Sequence, residues 1–198
     1  MIAIIDYKAG NLASVSNAMD RLMADYRITN EIATLNQADA VIFPGVGHAG
    51  SAMKDLHRNR LVDWLRSTQK PVLGICLGMQ LFFDATSEGA TETLRIIPGK
   101  LEKFNPKKDK VPHMGWNTVT PTKSHPLLRN IAPGTHFYHV HSYYAPVTDH
   151  TIARSVYSEP FTAAAAYKNF MGVQFHPEKS GNHGLQLLQN FTDMVYGK

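Results

Sequence analysis

The sequence predicts an α/β fold with a mostly parallel central sheet, helices on both faces, and an antiparallel elaboration in the second half. Two observations carry this expectation. Up to about Ser87, short apolar runs alternate with amphipathic stretches at helical spacing, the pattern of successive strand–helix units. Beyond that point the helical spacing gives way to a series of short strand-like pieces, closed by one last amphipathic segment. The chain has 198 residues, 43% of them hydrophobic and 18% charged. That suits one ordinary domain, and residues 1–198 are expected to form a single unit with its own core.

Taken in order, Ile2 to Asp6 ("IAIID") reads as a buried strand. From Leu12 the residues Leu12, Val15, Met19, Leu22 and Met23 recur at helical spacing, completing a strand–helix unit. "DAVIFPG", Asp39 to Gly45, is the next clear strand, and "LVDWLRSTQ" from Leu61 is a helix with Leu61, Leu65 and Trp64 inward. "KPVLGIC" is a further strand, after which "LGMQLFFDAT" resumes helical spacing. Such alternation implies parallel strands covered on both faces. In the second half "KLEKF", "NTVTP", "HFYHVHSYYAP", "IARSVY", "FTAAAAY" and "FMGVQFHPE" are the strand-like pieces. The last two are joined by a turn at Lys168 and Asn169, and "HGLQLLQNFTDMVYG" closes the chain as a helix.

Composition narrows the function. One cysteine cannot make an intramolecular disulfide, and no charged segment followed by an apolar stretch of roughly 7–15 residues opens the chain. No run approaches the about 18 apolar residues of a membrane span. A cytoplasmic protein is expected. The charge balance, 20 basic against 16 acidic residues, is +4, but the basic residues are scattered and "KKDK" at Lys107 to Lys110 reads as a solvated turn. Nucleic acid and membrane are therefore not expected partners.

The single cysteine sits in Gly74-Ile75-Cys76-Leu77-Gly78, a G-x-C-x-G pattern between a strand and a helix. It matches a nucleophile elbow with sulfur in place of oxygen. A turn that sharp strains the nucleophile's backbone, and flanking glycines remove side chains that would strike the strand or the following helix. The sulfur would lie at a helix N-terminus, which favours thiolate, and the N–H of Leu77 would face an oxyanion formed on attack. A lone cysteine at a strand end is also commonly a small buried hydrophobe. The two readings stand level until a base is found.

Of ten histidines, His57, His125, His150 and His183 lie in polar surroundings and read as solvated. His139 and His141 share one face of a strand, while His136 has the opposite parity. With no second cysteine and no acidic neighbour the three make a poor metal set, so neither a metal nor another cofactor is expected. His176 differs, because in "GVQFHPE" it ends an apolar strand and is followed by Pro177 and Glu178. Proline keeps His176 extended, and Glu178, two residues on, can reach one imidazole nitrogen while the other faces outward. Nucleophile, base and orienting carboxylate are then all present.

"GICLGMQ" together with "HPE" resembles the triad (class I) glutamine amidotransferases, which strip ammonia from glutamine and pass it to a second active site. "IAIIDYKAGN", "PGVG" at Pro44 to Gly47, "VPHMGWN" at Val111 to Asn117, "HVHSYY" at His139 to Tyr144 and "GVQFHPEKS" at Gly172 to Ser180 are similar, in order and spacing, to the glutaminase subunits of imidazole glycerol phosphate synthase. The resemblance spans essentially the whole chain and implies a flavodoxin-like fold. It implies that Cys76 attacks the glutamine side-chain amide, that His176 moves protons, and that Glu178 orients His176. It further implies an oxyanion hole from Leu77 with Val46 and Gly47, whose peptide reorients before donating, and glutamine held by Gly45, Gln80, Ser142 and Tyr143. The implied partner is the cyclase subunit, a HisF-type β/α barrel that converts PRFAR to imidazole glycerol phosphate and AICAR. Asn11, Trp116, Tyr138 and Lys179 match family positions at that interface.

Lys8 and Ala9 stand where the family shows small or apolar residues, and His48 and Ala49 where Ala-Phe is common. Both pairs fall in loops near the expected active face and leave the triad intact. An amidotransferase subunit for anthranilate or pyridoxal phosphate synthesis is the alternative, but those relatives carry other sequences at "DYKAGN" and "PGVG". A binding module that keeps only the fold would show a broken triad position, and none is broken.

Overall fold

The computed structural model describes residues 1–8 and 11–197. The first half runs β1 (Ile2–Ile5), α1 (Leu12–Arg21), β2 (Tyr26–Thr29), α2 (Ile32–Gln37), β3 (Ala40–Gly45), α3 (Ala49–Arg58), α4 (Leu61–Ser67), β4 (Val72–Cys76) and α5 (Leu77–Gln80). The second half has β5 (Ala85–Thr86), β6 (Thr91–Glu92), β7 (Lys100–Lys103), β8 (His113–Pro121), β9 (Thr135–His141), β10 (Tyr143–Tyr144), β11 (Thr151–Tyr157), β12 (Glu159–Tyr167), β13 (Phe170–Val173) and α6 (Gly181–Tyr196).

Among the described residues the main sheet has nine strands in the order β2-β1-β3-β4-β13-β12-β11-β8-β9. From β2 to β13 neighbours pair in parallel, and from β13 to β9 they pair antiparallel. A small second sheet, β10-β7-β5-β6, packs beside it. Strand residues alternate between two cores, as a sheet covered on both faces requires. Ile2 and Ile4 join Val15 and Met19 of α1 and Leu187, Leu188 and Phe191 of α6. Ala3 and Ile5 join Leu35 of α2, Leu56 of α3 and Leu61, Trp64 and Leu65 of α4 on the other face.

The elements depart from the sequence expectation at identifiable places. α1 stops at Arg21, and Met23, expected on its inward face, is 93% exposed with φ of 51°. β2 carries no strand signal in the sequence, because its "YRIT" is mostly exposed and lacks an apolar run. α2 and α3 were not expected from the sequence either. α5 is one turn long, after which Leu81, Phe82 and Phe83 are buried in a turn rather than a continuing helix. The hairpin at Lys168 and Asn169 is present, with Tyr167 paired to Phe170.

What matters for function is where the parallel strands end. β3 and β4 are adjacent, with Gly45 level with Cys76, and β13 lies on the other side of β4, with Val173 level with Ile75. The chain leaving β13 therefore emerges beside the end of β4. Open α/β sheets bind ligands outside these carboxyl ends.

Candidate active site

Cys76 is the last residue of β4 and has φ 53° and ψ −109°, a conformation that strains any residue with a Cβ. The glycines around it explain how the turn closes. A Cβ on Gly78 would lie 1.9 Å from the carbonyl oxygen of Phe43 in β3, and one on Gly74 would lie 2.7 Å from the backbone nitrogen of Met79 in α5. Each spacing glycine thus makes room for a strand or for the next helix. Leu77 opens α5, so its N–H belongs to a first turn and has no partner within the helix.

His176 follows β13 in extended conformation, φ −103° and ψ 93°. Its backbone N–H donates to the carbonyl of Tyr138 at 2.9 Å, and its carbonyl accepts from the hydroxyl of Ser180 at 2.6 Å. Glu178 lies on a 3-10 turn, Pro177–Lys179, rather than on a continued extended segment. The turn still brings its Oε1 to 2.8 Å from Nδ1 of His176, with both side chains 1% exposed. Nε2 of His176 is buried with no hydrogen-bond partner, and His176 lines the cavity beside Cys76. Burial works against a charge on this ring, yet the proximity of Cys76 and then Glu178 outweighs it and raises the pKa to about 10. The imidazole therefore favours its protonated form.

A cavity of about 250 Å³ lies over the strand ends. Its wall includes Val46, Gly47, Cys76, Leu77, Gln80, Ser142, Tyr143 and His176. Gly47 has φ of 95°, in the region that favours glycine, and nothing lies within 4 Å of an added Cβ. Gly45 does not line the cavity. It packs under it, where a Cβ would meet Tyr7 Oη at 2.5 Å and Leu77 Cβ at 2.9 Å. Of the four residues expected at an interface, Lys179 is exposed and Asn11 half-buried. Trp116 is 57% exposed and pairs across strands with Tyr138, their rings 6.1 Å apart. His48 caps α3 by accepting from the N–H of Gly50, and Ala9 lies outside the described residues.

Three groups in or behind the site carry no signal that ties them to Cys76 in the sequence. Glu88 reaches the wall from a separate short 3-10 turn, its Oε2 accepting from the N–H of Ala49 at 2.6 Å. No spacing in the sequence links it to Cys76. Gln174 is fully buried and directs its amide nitrogen at Cys76 Sγ, 3.8 Å away. A lone amide in the apolar run "GVQF" was the available signal. His113 sits opposite His141 on the neighbouring strand and, with His139, makes a buried cluster whose ring nitrogens lie within 4.8 Å of one another. The sequence reading grouped His136 there instead, but that side chain is exposed. Within the cluster, Nδ1 of His113 and Nε2 of His141 share a hydrogen bond, 3.1 Å apart.

Burial holds all three rings neutral: it takes His113 down to about 4, His141 to about 3, and His139 well below its ordinary value. The ordinary imidazole value is 6.5, so below that pH the unfolded chain binds protons that the folded chain refuses, and stability falls as pH falls. His176, with a raised pKa, is charged in the folded state throughout, and its small opposing contribution fades as the unfolded imidazole also charges below 6.5. Between pH 6.5 and 5 each ring costs up to about 2 kcal/mol. The melting temperature is expected to drop over this range, and His139→Phe is expected to make the drop shallower. An identical drop in that variant would contradict the assignment.

A family model described as glutamine amidotransferase class-I matches residues 3–195. The chain is 47% identical over 190 residues to the imidazole glycerol phosphate synthase subunit HisH of Mannheimia succiniciproducens, covering 96% of this chain and 98% of that one. It is 44% identical over 194 residues to the HisH subunit of Haemophilus influenzae, covering 98% of each. In fold it is similar to a crystal structure described as a glutamine amidotransferase, with TM-score 0.77 at 13% identity over 99% of this chain and 100% of that one. A putative GMP synthase subunit from Thermoplasma acidophilum gives TM-score 0.73 at 17% identity over 99% and 94%. Matched along nearly its whole length, the chain belongs to the class-I glutamine amidotransferases, alongside the HisH subunits of imidazole glycerol phosphate synthase.

Proposed function

We propose that this chain is the glutaminase subunit of imidazole glycerol phosphate synthase, which hydrolyses glutamine to glutamate and delivers the ammonia to a cyclase subunit in histidine biosynthesis. The observation that carries the reading is the convergence of Cys76, His176 and the buried Glu178 at the ends of two neighbouring parallel strands.

Cys76 sulfur attacks the side-chain amide carbon of glutamine. As the C–N bond breaks, the His176 imidazolium gives its proton to the departing nitrogen, leaving ammonia and a γ-glutamyl thioester. Neutral His176 then takes a proton from water, the hydroxide adds to the thioester carbon, and glutamate leaves with the sulfur expelled as thiolate beside the re-formed His176 imidazolium. Glu178 keeps the His176 tautomer and stabilises its cation. The N–H of Leu77 serves the oxyanion directly, and the Val46–Gly47 peptide serves it once rotated. Gln80, Ser142 and Tyr143 hold the amino-acid end of glutamine above the glycine turn at Gly45. Glu88 supplies the negative charge that an α-ammonium group requires.

Ammonia released into water is protonated and loses its nucleophilicity, so it has to be passed on under cover. We assign the cyclase subunit, a HisF-type β/α barrel, to the face carrying Asn11, Trp116, Tyr138 and Lys179. Exposed Met114 and Trp116, alternating on β8, provide apolar area there. Among the described residues no helix is long and apolar enough to cross a membrane, which agrees with a cytoplasmic biosynthetic enzyme.

The test is glutamate release by the purified chain, alone and with the cyclase subunit plus a PRFAR analogue. Release is expected to rise by orders of magnitude in the complex. A rate already high without the partner would contradict the coupling, and no release in either mixture would contradict the activity.

A further inference from the structure

Strand β8 is joined to the nucleophile by a continuous run of hydrogen bonds whose every direction is fixed. It starts at Asn117, where Oδ1 accepts from the N–H of Thr118 at 2.7 Å and Nδ2 donates to the carbonyl of Val156 at 3.0 Å. These two backbone groups decide which end of the amide is nitrogen. That nitrogen lies 3.3 Å from Nε2 of His113, so Nε2 holds the lone pair and Nδ1 the proton. Further along, Nδ1 of His141 lies 2.8 Å from the carbonyl oxygen of Tyr143, which can only accept. His141 is therefore protonated on Nδ1 as well, and its Nε2 accepts from Nδ1 of His113 at 3.1 Å. Two independent backbone anchors, one at each end, demand the same tautomer of His113. Burial keeps both rings neutral, so neither carries a second proton that would break the sequence.

The run does not end at Tyr143. The same carbonyl accepts from Nε2 of Gln80 at 2.9 Å, which fixes the Gln80 amide. The other hydrogen on that nitrogen goes to Oε1 of Gln174 at 2.9 Å, leaving Nε2 of Gln174 to donate to Cys76 Sγ at 3.8 Å. Taking the glutaminase reading above as its basis, we propose that this run positions the active site, tying the glutamine-holding strand at Tyr143 and the Cys76 sulfur to β8, with His113, His141 and Gln174 as its positioning residues. A buried network in which each member is satisfied has one low-energy arrangement, so it holds geometry more firmly than packing does. His139 supplies the contrast. It is fully buried next to the run, yet neither ring nitrogen has a partner. It fills space without joining the sequence of donors. Trp116, on the residue before Asn117, is 57% exposed, so a partner seated on β8 would press on the first link.

The test has two parts. Imidazole nitrogen NMR on the wild-type chain is expected to find both His113 and His141 as neutral Nδ1–H tautomers, and an Nε2–H tautomer at either position would overturn the run. In the complex with the cyclase subunit, His113→Phe keeps an aromatic ring but removes the donor and acceptor. It is expected to raise KM for glutamine about tenfold while kcat stays within about twofold. His113→Asn puts an amide nitrogen where Nδ1 was and is expected to recover most of that loss, while His139→Phe is expected to leave KM unchanged. Wild-type kinetics in His113→Phe, or no recovery in His113→Asn, would remove the positioning role alone. A wild-type complex that hydrolyses no glutamine would instead overturn the glutaminase reading on which the role depends.

Discussion

Replacing Cys76 with alanine is expected to lower glutamine hydrolysis by at least about 10⁴-fold while the chain folds and binds its partner as before. The size of the loss follows from the site. His176 and Glu178 can move and stabilise a proton, but without the sulfur nothing forms the thioester, and water alone must attack an unactivated amide. Stability should change little, since Cβ is retained and the sulfur's hydrogen bonds to Gln174 and to the carbonyl of Val140 are long, both 3.8 Å. Alanine at φ 53° carries the same strain as cysteine. Glutamate release by the complex and a thermal melt check both halves, and residual activity within tenfold of wild type would contradict the nucleophile assignment.

The largest structural effect is expected at Gly78, where alanine would place a methyl 1.9 Å from the Phe43 carbonyl oxygen. That atom is backbone of a central strand and cannot step aside. β3 and α5 would have to separate, at about 3 kcal/mol or more and a fall in Tm on the order of 10 °C. Activity should fall as well, because the proposed oxyanion donors follow β3, at Val46–Gly47, and open α5, at Leu77. Gly134→Ala is the control. Its φ is 82°, but an added Cβ meets nothing within 4 Å, so only backbone strain of about 1 kcal/mol is expected. Equal losses in the two variants would show that conformation rather than close approach governs Gly78.

The parts of the fold legible in the sequence were those with a strong local pattern. β1, β3 and β4 are continuous apolar runs because both of their faces are buried. The flanking glycines of the elbow could be read from spacing alone, since any side chain there meets backbone. β2 could not, because an edge strand with one wet face carries polar residues that look like a loop. Met23 was misread for a related reason: periodicity marks the face of a helix but not the point where it stops.

In the site, "GICLGMQ" and "HPE" could be joined only by chemistry, as a nucleophile in want of a base. Their proximity comes from β13 pairing beside β4, a contact with a sequence separation near one hundred residues that leaves no local trace. Glu88 is close to Cys76 in the chain but reaches the wall from a separate 3-10 turn, so no helical or strand spacing links the two. His113 has no signal along its own strand, because the cluster forms across the β8–β9 pairing, where His113 faces His141.

Covalent catalysis by Cys76 is tested most directly by acid quenching of the complex during turnover of labelled glutamine, followed by mapping of the label on the chain. It predicts a γ-glutamyl thioester on the peptide carrying Cys76, absent from Cys76→Ala. Glutamate formed in the steady state with no label retained on wild-type protein under any quench, or label on a different residue, would contradict it.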